Sequence, residues 1–102
     1  MPAYIVIEAK AKNAEAYAKY IAEVPPIVVQ HEGRYLVRSS DVTPGTGGWA
    51  PERIIILEFP SREHIQRCFS SPEYRSIVPL RDAGADYRSV IVEGQLPILR
   101  GR

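Results

Sequence analysis

The chain opens with an alternation of apolar and polar positions. From Tyr4 to Ala9 it separates Ile5, Ile7 and Ala9 from Tyr4, Val6 and Glu8, the period of two that predicts a first β-strand. Asn13 then stands where a side-chain oxygen can cap a helix. Tyr17, Tyr20, Ile21 and Val24 follow at the i, i+3, i+4, i+7 spacing of one apolar helix face. Pro25-Pro26 is expected to interrupt that helix. Pro26 can then open a short second piece through Ile27 to Gln30, where its missing N–H costs nothing. Gly33 ends the segment.

Arg34 to Ser39 predicts a second strand, split into Arg34, Leu36, Arg38 and Tyr35, Val37, Ser39. Turn formers fill Asp41 to Pro51 and lead to a third strand, Arg53 to Phe59. Pro60-Ser61 stops it and caps a helix carrying Ile65, Cys68 and Phe69. Ser71-Pro72-Glu73 is a second helix start, with Tyr74, Ile77 and Val78 as its stripe and Pro79 as a kink or division. Gly84 to Asp86 leads into a fourth strand, Tyr87 to Glu93. The domain runs over 1–94, and 95–102 reads as a tail carrying Leu96, Ile98 and Leu99. The order strand, helix, strand, strand, helix, strand predicts an α+β fold. Its simplest form is a ferredoxin-like βαββαβ antiparallel sheet with the helices on one face.

Such a sheet has two faces. The helices are expected over Ile5, Ile7, Ala9, Ile55, Leu57, Phe59, Val90 and Val92. The opposite face then holds Tyr4, Val6, Glu8, Ile54, Ile56, Glu58, Ser89, Ile91 and Glu93. Val6, Ile54, Ile56 and Ile91 would expose an apolar patch on the order of several hundred Å², typical of an interface. A second copy packed face to face is the expected cover. Arg34, Leu36 and Arg38 are expected on this open face, their guanidinium groups near Glu8, Glu58 and Glu93, while Tyr35 and Val37 are expected to meet the helices.

Composition narrows the function classes. The chain has 102 residues, 45% hydrophobic and 25% charged, with a net charge of +1. Those values suit one globular domain. No basic run interleaved with aromatics points to nucleic acid, and no apolar run approaches the roughly 20 residues of a membrane span. Without a leader pattern at Met1-Pro2-Ala3-Tyr4, a cytoplasmic location is the default expectation. Cys68 is the single cysteine and reads as a small core hydrophobe. Two distant histidines make a poor metal site, and neither a metal nor another cofactor is expected. Gly45-Thr46-Gly47-Gly48 lacks the Lys-Ser/Thr ending of a phosphate loop, and no serine sits in a nucleophile elbow.

An ordered set of motifs is more specific. It comprises Met1-Pro2-Ala3-Tyr4, Tyr17, Pro25-Pro26, His31-Glu32-Gly33-Arg34-Tyr35-Leu36, Trp49, Pro51-Glu52-Arg53 and Glu58-Phe59-Pro60. It continues with Ser71-Pro72-Glu73-Tyr74, Leu80-Arg81 and Val92-Glu93-Gly94. The set resembles the family of unknown function numbered 1330, over residues 1 to about 94. The resemblance implies a dimeric α+β barrel, two ferredoxin-like sheets facing each other. Relatives on that fold include cofactor-free monooxygenases, lactone isomerases and haem or dye peroxidases. The glycine-rich Asp41 to Gly48 segment departs from the family's short acidic turn, and the tail lies outside its pattern.

Candidate chemistry follows from residue type. Glu58, a carboxylate near the end of an apolar strand, needs a partner or a raised pKa, so it is either half of an ion pair or a base. His31 is the other candidate base, because imidazole is the side chain best suited by type to general-base work, although it also suits the C-terminus of a helix. His64 reads as structural. Arg34 and Arg38 can pair with Glu58 or orient a polar substrate. Trp49 and Tyr74 can wall a pocket, and Arg81, seven residues after Tyr74, can reach a ligand anion or the dimer seam. The expected protein is a small homodimer binding a partly apolar organic molecule in the barrel cavity. Cofactor-free proton transfer, isomerisation or monooxygenase-like chemistry is its candidate activity. The competing expectation is a non-catalytic dimeric module in which the charges serve only assembly.

Overall fold

The computed structural model describes residues 1–94. Four strands, β1 (Ala3–Ala11), β2 (Arg34–Ser39), β3 (Arg53–Phe59) and β4 (Ala85–Glu93), form one sheet in the order β2-β3-β1-β4. Every neighbouring pair is antiparallel. The helices α1 (Ala14–Gln30), α2 (Arg62–Phe69), α3 (Pro72–Arg75) and α4 (Val78–Gly84) pack on one face. This is the ferredoxin-like α+β arrangement the element order predicts.

Period-two patterning places the core. Ala3, Ile5, Ile7 and Ala9 of β1 are buried under the helices, as are Ile55, Leu57 and Phe59 of β3. Leu57 and Phe59 are each 1% exposed, and burying such side chains contributes roughly 1.5–3 kcal/mol apiece. From α1 come Tyr17, Tyr20, Val24, Ile27 and Val28; from α2 and α3 come Ile65, Cys68 and Tyr74.

The caps form as the residue types dictate. Asn13 accepts from the Ala16 amide, Ser61 from His64 and Ser71 from Tyr74. Pro25-Pro26 does not break α1, which runs through both prolines as one helix. The carbonyls that lose a donor belong to Ile21 and Ala22, both exposed, so water can replace the missing bonds. The segment after Ser71 is two short helices, because α3 stops at Arg75 and Pro79 occupies the first turn of α4.

Two registers differ from the alternation expected of the sequence. In β4, Ile91 pairs with Ile5 and Ser89 with Ile7, while Val90 pairs with Val6 and Val92 with Tyr4. Residues directly opposite share a face, so Ser89, Ile91 and Glu93 (opposite Ala3) lie on the helix side and Val90 and Val92 on the open side. Both sets of β4 are apolar, and their pattern alone does not choose. Tyr87, opposite Ala9, takes the helix side, where its ring packs against Tyr20. In β2 a bulge between Tyr35 and Val37 shifts the pairing: Arg34 opposes Glu58 and Tyr35 opposes Leu57, but Val37 opposes Ile56 and Arg38 opposes Ile55. The extra residue reverses the faces beyond it.

Candidate functional site

The open face carries two cross-strand ion pairs. Arg34 sits directly opposite Glu58, and its Nε donates to Glu58 Oε1 at 2.6 Å. Tyr4, opposite Glu58 on the other side, donates its hydroxyl to Oε2 at 3.1 Å. Both oxygens are occupied. The Arg34 hydrogen bond, opposed by desolvation and aided by Tyr4, holds the Glu58 carboxyl below its ordinary value. The same carboxylate pushes the Tyr4 phenol up. A carboxylate with lowered basicity and two partners is a poor proton acceptor, so Glu58 has the character of an ion-pair member.

Glu8 and Arg88 repeat the arrangement between β1 and β4, with Nε to Oε1 at 2.5 Å. Trp49 joins from the β2–β3 loop, its Nε1 3.4 Å from Glu8 Oε1. With Val6 and Ile54 it borders two shallow hollows of about 260 and 490 Å³. The apolar strip between the pairs includes Val37, Val90 and Val92, which are 38%, 60% and 49% exposed.

Arg38 is not on this face. The β2 bulge turns it to the helix side, where its guanidinium lies 4.6 Å from the centre of the Tyr35 ring. Arg38 and Glu58 therefore occupy opposite faces, and the expected pair between them does not form. His31 is the C-cap of α1, and its Nδ1 lies 3.0 Å from the Ile27 carbonyl. That bond ties it to its own helix, apart from the Glu58 pair. His64 contacts Ser61 Oγ at 2.6 Å and Glu32 at 3.5 Å, joining the start of α2 to the turn before β2.

A denser polar cluster lies under the helices. Tyr20 of α1 and Tyr74 of α3 share a hydroxyl–hydroxyl bond of 2.7 Å, and Arg81 of α4 donates to the Tyr74 oxygen at 3.2 Å. The Arg81 guanidinium also lies 4.8 Å from the centre of the Tyr87 ring, a cation–π distance. Burial, reinforced by the neighbouring phenols, pushes the hydroxyls of Tyr20 and Tyr87 far above their ordinary value. These phenols stay neutral at any physiological pH. Tyr74, Arg81 and Tyr87 line a groove of about 610 Å³ between α2 and α4, floored by Ile5 and Ile91.

Of the residues singled out from the sequence, the structure brings together Arg34 with Glu58, and Tyr74 with Arg81. It leaves His31, Arg38 and Trp49 in three other places. Tyr20, Tyr87 and Arg53 were not foreseen as site residues. For the two tyrosines the one sequence signal is the count of six tyrosines, since a phenol on an apolar stripe must find a partner when buried; Arg53 carried none. Among the described residues, no three His, Cys, Asp or Glu side chains converge on a point where a metal could sit. No helix there is long and apolar enough to cross a membrane.

The fold is shared with solved structures. A protein of unknown function from Rhodopseudomonas palustris superposes with a TM-score of 0.76 at 20% identity, covering 94% of this chain and 84% of its own. SnoaB, a cofactor-independent oxygenase from Streptomyces nogalater, matches at a TM-score of 0.66 and 8% identity, over 97% of this chain and 98% of its own. A dimeric ferredoxin-like protein of unknown function from Thermobifida fusca matches at 0.62 and 11%, over 89% of each chain. At these identities the likeness is one of fold. None of the curated proteins compared matches the chain. The family model described as Domain of unknown function (DUF1330) matches residues 2–95, nearly the whole length, and the chain belongs to that family.

Proposed function

We propose that the protein is a homodimer that binds a small, partly apolar organic molecule in the groove between α2 and α4. Tyr74 and Arg81 are its polar contacts. The observation carrying this reading is a phenol–guanidinium cluster at the wall of a groove of about 610 Å³, within the size range of ligand pockets. Apolar walls from Ile65, Phe69 and Ile91 would hold the body of the molecule. Arg81, a fixed cation beside the Tyr74 hydroxyl, would stabilise negative charge developing on a bound enol or phenol. That inventory suits cofactor-free proton transfer or oxygenation, and the likeness to a cofactor-independent oxygenase supports it at the level of fold.

Dimerisation is the other half of the proposal. Val37, Val90 and Val92 form an exposed apolar strip between two satisfied ion pairs, a surface suited to a second copy of the sheet. Trp49 and the Arg34–Glu58 pair then belong to the seam between subunits. The dimeric T. fusca protein supports this assembly.

Two measurements test the reading. Equilibrium sedimentation should give a dimer at micromolar concentration, dissociated by Val90→Asp. Screening planar phenols and enolisable ketones by ligand-observed NMR should find binders, weakened at least tenfold by Arg81→Gln and by Tyr74→Phe. A folded monomer refutes the assembly. Binding indifferent to both substitutions, or none across the screen, refutes the groove as the site.

A further inference from the structure

A second place on the helix side lacks what its charges require. Arg53 opposes Ala9 and Arg38 opposes Ile55, so the two arginines are diagonal neighbours on one face. Diagonal neighbours of this kind lie about 7–8 Å apart, within reach of long side chains. Both line a cleft beneath α1, together with Tyr17, Ile21 and Tyr35. Elsewhere on the domain, Arg34, Arg81 and Arg88 each hold a carboxylate. Among the described residues no carboxylate lies within ion-pair distance of Arg38 or Arg53.

Arg53 is the more telling of the two. Its Nη1 reaches only the Ser40 hydroxyl, at 3.3 Å, and its Nε is buried with no hydrogen-bond partner. A buried guanidinium nitrogen without an acceptor is costly, and a like charge next to it adds to the cost. An acceptor supplied from outside removes both penalties.

We infer that this cleft binds an organic carboxylate, its head group held between Arg53 and Arg38. The interior space is about 30 Å³, room for a water or two, or for a flat carboxylate head entering with slight side-chain adjustment. A tetrahedral phosphate is bulkier. Planar carboxylates also match the forked donors of arginine. The apolar part of the ligand lies along the exposed Ile21 and the Tyr35 ring at the mouth. This site is separate from the groove between α2 and α4, although Phe69 and Tyr87 border both. It stands or falls independently of the function proposed above.

The test uses matched probes. Benzoate and hexanoate, their primary amides and inorganic phosphate are titrated into the full chain, with the Arg53 Nε–H resonance followed by NMR. The acids are expected to shift that resonance and to bind at least tenfold tighter than the amides. Arg53→Gln and Arg38→Gln each weaken the acids at least tenfold, while Arg67→Gln on α2 leaves them unchanged. If Arg53→Gln does not fold, the exposed Arg38 carries the test alone. Equal affinity for acids and amides overturns the inference. So does a resonance unmoved by any acid, which leaves the cleft to water, or a preference for phosphate.

Discussion

The hydroxyl oxygens of Tyr20 and Tyr74 lie 2.7 Å apart in the interior, joined across 54 positions of sequence. One bond couples the middle of α1 to α3, and through Arg81 it also fixes α4. A buried phenol whose partner is removed keeps its desolvation cost, so the pair is worth more together than either residue alone.

Tyr74→Phe should therefore destabilise the fold by about 1–2 kcal/mol, since it strands the Tyr20 hydroxyl and leaves Arg81 with Asp82 alone. Tyr20→Phe should cost less, because Tyr74 keeps Arg81. The double variant should show a coupling energy of roughly 1 kcal/mol in urea unfolding with unchanged m-values. Additive effects would mean that the bond contributes nothing.

Acid sensitivity should trace to Glu58. Arg34 and Tyr4 hold its folded pKa below the ordinary 4.5, so the pair stabilises the protein above that pH. The contribution is lost as pH falls from about 4.5 through the folded value. Glu58→Gln should flatten the acid limb of stability against pH in that window. Titration of the Glu58 side-chain carbon by NMR would place the folded value directly.

The turn after α1 should respond with opposite signs at adjacent positions. Glu32 has φ +67°, in the left-handed region, where a side chain is strained. Glu32→Gly should stabilise by about 0.5–1 kcal/mol, because the exposed contact it gives up with His64 is worth little. A Cβ at Gly33 would meet Phe59 at 2.6 Å and Val28 at 2.8 Å. Gly33→Ala should cost roughly 1–3 kcal/mol through overpacking. Thermal denaturation of both variants gives the two signs.

Cys68 should be inert while the protein is folded. It is fully buried, and burial pushes its thiol up to about 11. Little thiolate forms at neutral pH, and reagents cannot reach the sulfur. Labelling by a disulfide reagent should proceed at the rate of unfolding and rise with urea. Rapid labelling of the native protein would contradict this.

Much of the candidate site was legible in part. Arg34 and Glu58 sit on strands whose alternation puts both on the open face, so their pairing follows from period two. Tyr74 and Arg81 are seven residues apart, and the structure joins them across the break between α3 and α4. Arg38 and Val37 were both misplaced, Val37 lying on the open face and not under the helices, because a bulge at Leu36 is a property of the pairing with β3 and has no composition of its own. Val90 and Val92 were misplaced because β4 is apolar on both sides, and only its alignment with β1 chooses between them. The expectation for the tail, with Leu96, Ile98 and Leu99, falls outside the described residues.

Periodicity, capping residues and turn formers are local, and they determined the elements, their order and the fold class from the sequence alone. The α1 prolines show the limit of that reasoning, since a helix anchored by Tyr17, Val24 and Val28 in the core absorbs a break that an isolated helix would not. Which face a side chain serves depends on register, and register depends on a partner strand distant in sequence. One inserted residue reverses it. That is why the tertiary structure alone moved Arg38 from an expected partner of Glu58 to a neighbour of Arg53. It is also why Tyr20, Tyr74, Arg81 and Tyr87, drawn from four different elements, meet at one place.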